Sequence, residues 1–173
     1  GHMCSPAIAT QAEDLIAGGV KELIHVGYAG GLQPELVPGE IILTDGAFND
    51  TAVARLYGYD YDIIHSSKDL TNEIEEMITS AEILYKRGFH WTTDAGYRET
   101  WGQVMDYRDK GALCVEMEGV GLFTIANYRK CVATGIYVVS DVYSENDWKL
   151  GWEGNDIKRA VGAVIDMIIE SIR

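Results

Sequence analysis

Apolar positions along the chain alternate between a helical rhythm and short continuous runs. Behind Ser5-Pro6, Ala9, Ala12, Leu15 and Ile16 recur at helical spacing and Gly18-Gly19 closes the segment. Ser5 reads as the N-cap and Pro6 as the first helical residue. Glu22–Val26 follows as a short buried strand, and Gly27, Gly30 and Gly31 predict a turn where a ligand approaches the backbone. Gly39–Thr44 reads as a second strand. Phe48–Ser67 has no clear period and reads as a long loop of the lid or interface kind. Asp69–Arg87 predicts an amphipathic helix, with Leu70, Ile74, Met77, Ile78, Ala81, Leu84 and Tyr85 on one face and a stop at Gly88. A strand over Phe89–Thr93, a helix over Thr100–Lys110, an apolar run Ala112–Val115, a helix over Glu118–Arg129 and a strand over Val132–Ser140 come next. Asp141–Gly154, with Trp148 and Trp152, is either a flap or a loop pinned by aromatic packing. Asp156–Ile172 predicts a last helix whose core stripe is Ile157, Ala160, Val161, Val164, Ile165, Ile168, Ile169 and Ile172.

Strands alternating with helices predict an α/β fold. The length, 173 residues, suits one domain, read as 4–173. Gly1-His2-Met3 reads as a cloning remnant. No apolar run approaches a membrane span, and there is no signal-peptide pattern, so the expected location is cytoplasmic. The 27 Asp and Glu against 14 Lys and Arg leave a formal charge of −13, which argues against DNA or RNA as a partner. A neutral small molecule is compatible with that charge. Cys4, Cys114 and Cys131 have no metal-type spacing, so no metal is expected and the thiols read as inert.

Three polar clusters each follow an apolar strand. Val26-Gly27-Tyr28-Ala29-Gly30-Gly31 follows Leu23-Ile24, Glu116-Met117-Glu118 follows Ala112–Val115, and Ser140-Asp141 follows Val138-Val139. Ligands of open α/β sheets bind beyond the carboxyl ends of strands, so these clusters predict one shared pocket. An ionised carboxylate accepts hydrogen bonds and suits a ligand rich in hydroxyls. Each cluster also has a plain structural reading: a tight turn, a solvated helix N-terminus favoured by the dipole, and a cap.

Read together, the motifs resemble the nucleoside phosphorylase and nucleosidase superfamily: purine nucleoside phosphorylases, uridine phosphorylases and methylthioadenosine-type nucleosidases. The likeness is carried by Ser5-Pro6-Ala7, Val26–Gln33, Gly39-Glu40-Ile41-Ile42, Thr93–Glu99, Val115-Glu116-Met117-Glu118 and Val139-Ser140-Asp141. It implies a three-layer mixed sheet flanked by helices, N-terminally truncated relative to the family pattern. It also implies a pentosyltransferase-type activity on a small-molecule nucleoside, with phosphate as a possible co-substrate and no other cofactor. Asp141, oriented by Ser140, would act as acid at the base. Glu118 would hold the ribose hydroxyls and Met117 would pack on the sugar. Tyr97 would stack on the base, with Tyr28, Ala29, Gly30, Val115 and Glu116 completing the substrate-binding set. A purine is favoured over uridine because Asp141 suits N7 protonation and no Gln-x-Arg pair is found.

The chain departs from the family at the phosphate end. The phosphate loop that precedes the first helix in the family has no counterpart, His25 stands where a second arginine is expected, and Tyr28 stands at a Ser or Thr position. Phosphate dianions are held by bidentate arginines or several donors. Phosphorolysis, hydrolysis and nucleoside binding without turnover therefore all stay open. The missing early strands predict an open sheet edge, and with it a homo-oligomer, dimeric or higher.

Overall fold

The computed structural model describes residues 3–144, 147–151 and 154–171. Among these residues six α-helices and seven strands follow in the order α1 Ser5–Ala17, β1 Glu22–Gly31, β2 Ile41–Asp50, α2 Val53–Leu56, β3 Ile63–His65, α3 Lys68–Ser80, β4 Tyr85–Thr93, α4 Trp101–Asp109, β5 Cys114–Glu116, α5 Gly119–Arg129, β6 Val132–Ser144, β7 Asp147–Leu150 and α6 Asn155–Ser171. The strands join in the order β3-β2-β4-β5-β1-β6-β7, and β2 also pairs with β6. That extra antiparallel contact, Ile41 to Val138 through Leu43 to Ile136, closes β2, β4, β5, β1 and β6 into a ring. The expected open edge is therefore not formed at β1, which pairs with β5 on one side and β6 on the other. Only the short β3 and β7 extend beyond the ring among the described residues.

Helices cover the ring in two groups, giving the three-layer architecture. One apolar cluster joins Ile8 and Ala12 of α1 to Val120, Phe123 and Ile125 of α5. The other joins Leu70, Ile74 and Ile78 of α3 to Ile157, Val164 and Met167 of α6 over Ile41, Leu43, Ile136 and Val138. Helix α1 lies close on α5 because residue 121 is glycine: a methyl there would come within 2.5 Å of the Ser5 carbonyl oxygen.

Several local expectations are corrected. Cys4, not Ser5, is the N-cap of α1; Ser5 is buried and donates its hydroxyl to the Met117 carbonyl at 3.1 Å. The glycine stretch after Val26 is not a turn but the second half of a ten-residue strand. Phe48–Ser67 holds the end of β2, α2 and β3. The helix expected to run to Arg87 ends at Ser80, where Glu82 adopts φ 56° and the Ile83 N–H returns to the Ile78 carbonyl at 3.1 Å. This is a left-handed helix cap built without glycine. In α6, Ile165 and Ile169 face solvent and Met167 takes the inward position. Asp141–Ser144 continues β6, and β7 runs back beside it. Trp152 and Ile172 lie outside the described residues.

Candidate active site

Buried polar side chains gather within the ring beside the apolar cluster of Ala29, Ile42, Cys114, Tyr137 and Val139. Each strand of the ring contributes: His25 from β1, Thr44 from β2, His90 and Thr92 from β4, Glu116 from β5 and Tyr137 from β6. Thr44 Oγ1 and His90 Nδ1 are 2.6 Å apart, His90 Nε2 lies 3.0 Å from Glu116 Oε1, and the Thr92 hydroxyl donates to the same oxygen at 2.5 Å. His25 and Tyr137 meet edge to face with ring centroids 5.5 Å apart.

Glu116 organises the junction from β5 into α5. Its Oε2 accepts the N–H groups of Glu118 and Gly119, both at 2.8 Å. A carboxylate placed there satisfies amides that a helix start leaves unpaired and complements the dipole. Burial pushes the Glu116 carboxyl up, but His90 and the Thr92 hydroxyl outweigh it and hold it below its ordinary value. Glu118 then projects from the N-cap position with non-helical φ −122°. The Cys4 N–H donates to Glu118 Oε1 at 2.7 Å. Burial and the neighbouring Glu116 charge raise the Glu118 carboxyl to about 7, against the opposing amides of Cys4 and Met117.

Across the ring, β6 carries one extra residue. Ala29 pairs with Val139 and Gly30 with Asp141, which leaves Ser140 as a bulge. Bulges re-aim side chains beside a strand's regular face. The Ser140 hydroxyl donates to Asp141 Oδ1 at 2.5 Å and lies 3.3 Å from the Ala29 carbonyl. Asp141 is almost wholly buried. Glu118 and Asp141 both line one cavity of about 440 Å³, walled by β1, the β5–α5 junction and β6.

A family model described as the phosphorylase superfamily matches residues 1–170. The chain belongs to the phosphorylase superfamily. Within it, the chain is 32% identical over 139 residues to the DeoD-type purine nucleoside phosphorylase of Exiguobacterium sibiricum, covering 79% of this chain and 59% of that protein. The corresponding protein of Bacillus cytotoxicus is 31% identical over 138 residues, with the same coverage. The chain thus spans less than two thirds of the length of these relatives. A structure of the Plasmodium knowlesi homologue of the P. falciparum purine nucleoside phosphorylase superposes with a TM-score of 0.80 at 22% identity, over 95% of this chain and 66% of that one, which shows the shared fold.

In this superfamily member the cavity brings together Tyr28, Ala29, Gly30, Val115, Glu116, Met117, Glu118, Ser140 and Asp141. Tyr97 is not among them: it sits in the short 3-10 turn Gly96–Arg98, fully exposed. Of these residues Glu116 has both carboxylate oxygens engaged by protein donors, so it braces the site from behind. Sequence reasoning left out Met3, Glu99 and Tyr143, which also line the cavity. Glu99 and Tyr143 carried a weak signal, since Glu99 ends the recognised stretch Thr93–Glu99 and Tyr143 lies two residues past Asp141. His25, read as a departure from the phosphate site, lines it too. Among the described residues no group of His, Cys, Asp and Glu is arranged to hold a metal ion, and no helix is long and apolar enough to cross a membrane.

Proposed function

We propose that the cavity binds a nucleoside and supports cleavage of its N-glycosidic bond, with phosphorolysis of a purine nucleoside as the leading reaction. The observation that carries this reading is that Glu118, at the junction of β5 and α5, and the Ser140–Asp141 pair, at the bulge in β6, line the same cavity. Glu118 in its ionised form accepts hydrogen bonds from the ribose hydroxyls and offsets positive charge growing on the sugar. Met117 packs its pliable thioether on the sugar. Asp141, positioned by the Ser140 hydroxyl, supplies a proton to the purine N7 as the bond to C1′ breaks and its electron pair moves to the base. The relatives named as purine nucleoside phosphorylases support phosphate as the attacking group.

One observation favours a second reading, hydrolysis by water. The described lining residues include four carboxylates, Glu99, Glu116, Glu118 and Asp141, and neither Lys nor Arg. A phosphate dianion finds no guanidinium or ammonium on such a wall and is repelled by its carboxylates. We also propose a homo-oligomer, on the strength of the family alone; light scattering showing a monomer at micromolar concentration would remove it.

The test is incubation with adenosine, inosine and uridine, with and without phosphate, following free base. Release from purine nucleosides that requires phosphate supports phosphorolysis, and release without phosphate supports hydrolysis. Loss of both nucleoside binding and turnover is expected in Glu118→Ala, and loss of turnover in Asp141→Asn. Saturable binding without release would leave a nucleoside-binding protein, and full turnover in Asp141→Asn would sink the acid assignment.

A further inference from the structure

The end of the cavity that holds Asp141 contains a second carboxylate with no role in the scheme above. Glu99 follows the 3-10 turn and directly precedes Thr100, whose capping box with Gln103 starts α4. Its carboxyl is fastened at one oxygen: the Tyr143 hydroxyl donates to Oε2 at 2.7 Å. Its other oxygen, Oε1, accepts no hydrogen bond from the described residues. Tyr143 lies two residues beyond Asp141 in a regular part of β6, so the two side chains stand on the same face of the strand. Both flank Gly30. A methyl built there would come within 2.9 Å of Tyr143 Cε2 and 3.2 Å of Asp141 Oδ2. Glu99 is thereby held beside Asp141, on the cavity wall.

Two carboxylates facing one space repel unless a donor or a proton lies between them. Burial raises the Glu99 carboxyl, the Tyr143 hydroxyl opposes that, and the Asp141 charge adds to the rise. One purine edge fits such a pair. Adenine presents N7 as an acceptor beside the 6-amino group as a donor, whereas guanine presents N7 and O6, both acceptors. A hydrogen-bond donor at N7 and an accepting carboxyl oxygen at the amino group match the first edge.

We propose that Glu99 selects the nucleobase, accepting a hydrogen bond from the 6-amino group of a purine whose N7 faces Asp141. A 6-oxopurine would set its carbonyl oxygen against a carboxylate, leaving both acceptors unpaired. This inference rests on the nucleoside reading and deepens it.

The test is equilibrium binding by calorimetry of adenosine and inosine to the whole chain, its Glu99→Gln variant and its Tyr143→Phe variant. The unaltered protein is expected to bind adenosine at least about tenfold tighter, since sites built around a hydrogen bond discriminate strongly against a partner that lacks it. Glu99→Gln can donate its amide to O6 and is expected to collapse or reverse that preference, while a merely structural role would weaken both nucleosides alike. Tyr143→Phe, which keeps the carboxylate but unfastens it, is expected to narrow the preference and covers the case in which Glu99→Gln fails to fold. Equal affinity for the two nucleosides, or a preference untouched by the variants, overturns the inference and leaves the nucleoside reading standing. Binding of neither nucleoside overturns both.

Discussion

His90 Nε2 and Glu116 Oε1 lie 3.0 Å apart with neither side chain reaching solvent. The pair sits inside the strand ring, and its other partners are Thr44 on His90, Thr92 on Glu116, and the amides of Glu118 and Gly119 on the far carboxylate oxygen. Burying charge is costly, and such pairs stabilise little against an apolar replacement. What this one supplies is position, because the same carboxylate holds the backbone that carries Glu118.

Glu116→Ala should therefore do two separable things. It leaves the imidazole and two helix-start amides without their acceptor, which is expected to cost about 3–5 kcal/mol in urea unfolding. It should also speed amide exchange at Glu118 and Gly119 beyond what the global loss explains. Exchange at those two amides unchanged relative to the rest of α5 would refute the clamp.

The raised carboxyl of Glu118 makes two pH effects of opposite sense. Its folded value, about 7, lies above the ordinary 4.5, so the folded chain binds the extra proton. Its contribution to stability is fully present below about 4.5 and is lost as pH rises through 7. The group is only partly buried, so the loss is expected to be about 1–2 kcal/mol after solvent screening. Ribose hydroxyls, by contrast, pair with the ionised form, so nucleoside affinity should rise over the same interval. Urea unfolding and calorimetric binding at pH 5 and pH 8 check both, and Glu118→Gln should flatten both. A stability that rises from pH 5 to 8 in the parent but not in Glu118→Gln would reverse the assigned sign.

The positions of Glu118 and Asp141 are legible because an apolar run that meets a polar pair marks a strand passing out of the core, although β6 runs on past Asp141 to Ser144. Helices α1, α4 and α5 are legible from spacing and flanking residues. The remainder depends on space and long-range contact. Gly27, Gly30 and Gly31 read as a turn, yet none adopts positive φ, and Gly30 instead makes room for Tyr143 and Asp141. The stop of α3 is hidden because Glu82 takes a left-handed conformation usually left to glycine. Ring closure pairs Ile42 with Tyr137, residues far apart in sequence, and no local pattern reports it. Glu99 closes the recognised stretch Thr93–Glu99, but its place on the cavity wall depends on Tyr143, a contact across 44 residues that no local pattern reports.

Gly30 offers the sharpest separation of site from scaffold. It sits at the register shift between β1 and β6, where a methyl would lie 2.9 Å from Tyr143 Cε2, 3.2 Å from Asp141 Oδ2 and 3.4 Å from Val115 Cγ1. All three neighbours line the cavity, and the nearest atoms are side-chain atoms, so the ring of Tyr143 and the Asp141 carboxyl must yield. Overpacking of this kind costs about 1–3 kcal/mol. A displacement of about 1 Å at a reacting group can cost on the order of a hundredfold in turnover. Gly30→Ala is thus expected to remain folded, lose about tenfold or more in nucleoside affinity, and lose more in turnover than in binding. Gly102→Ala on α4, where a methyl meets nothing within 4 Å, is the control. Alanine suits a helix better than glycine, so it should gain about 0.5–1 kcal/mol and leave binding unchanged. Equal binding by Gly30→Ala and Gly102→Ala would mean that Asp141 and Tyr143 do not meet the ligand beside Gly30, and the shared cavity would lose its base end.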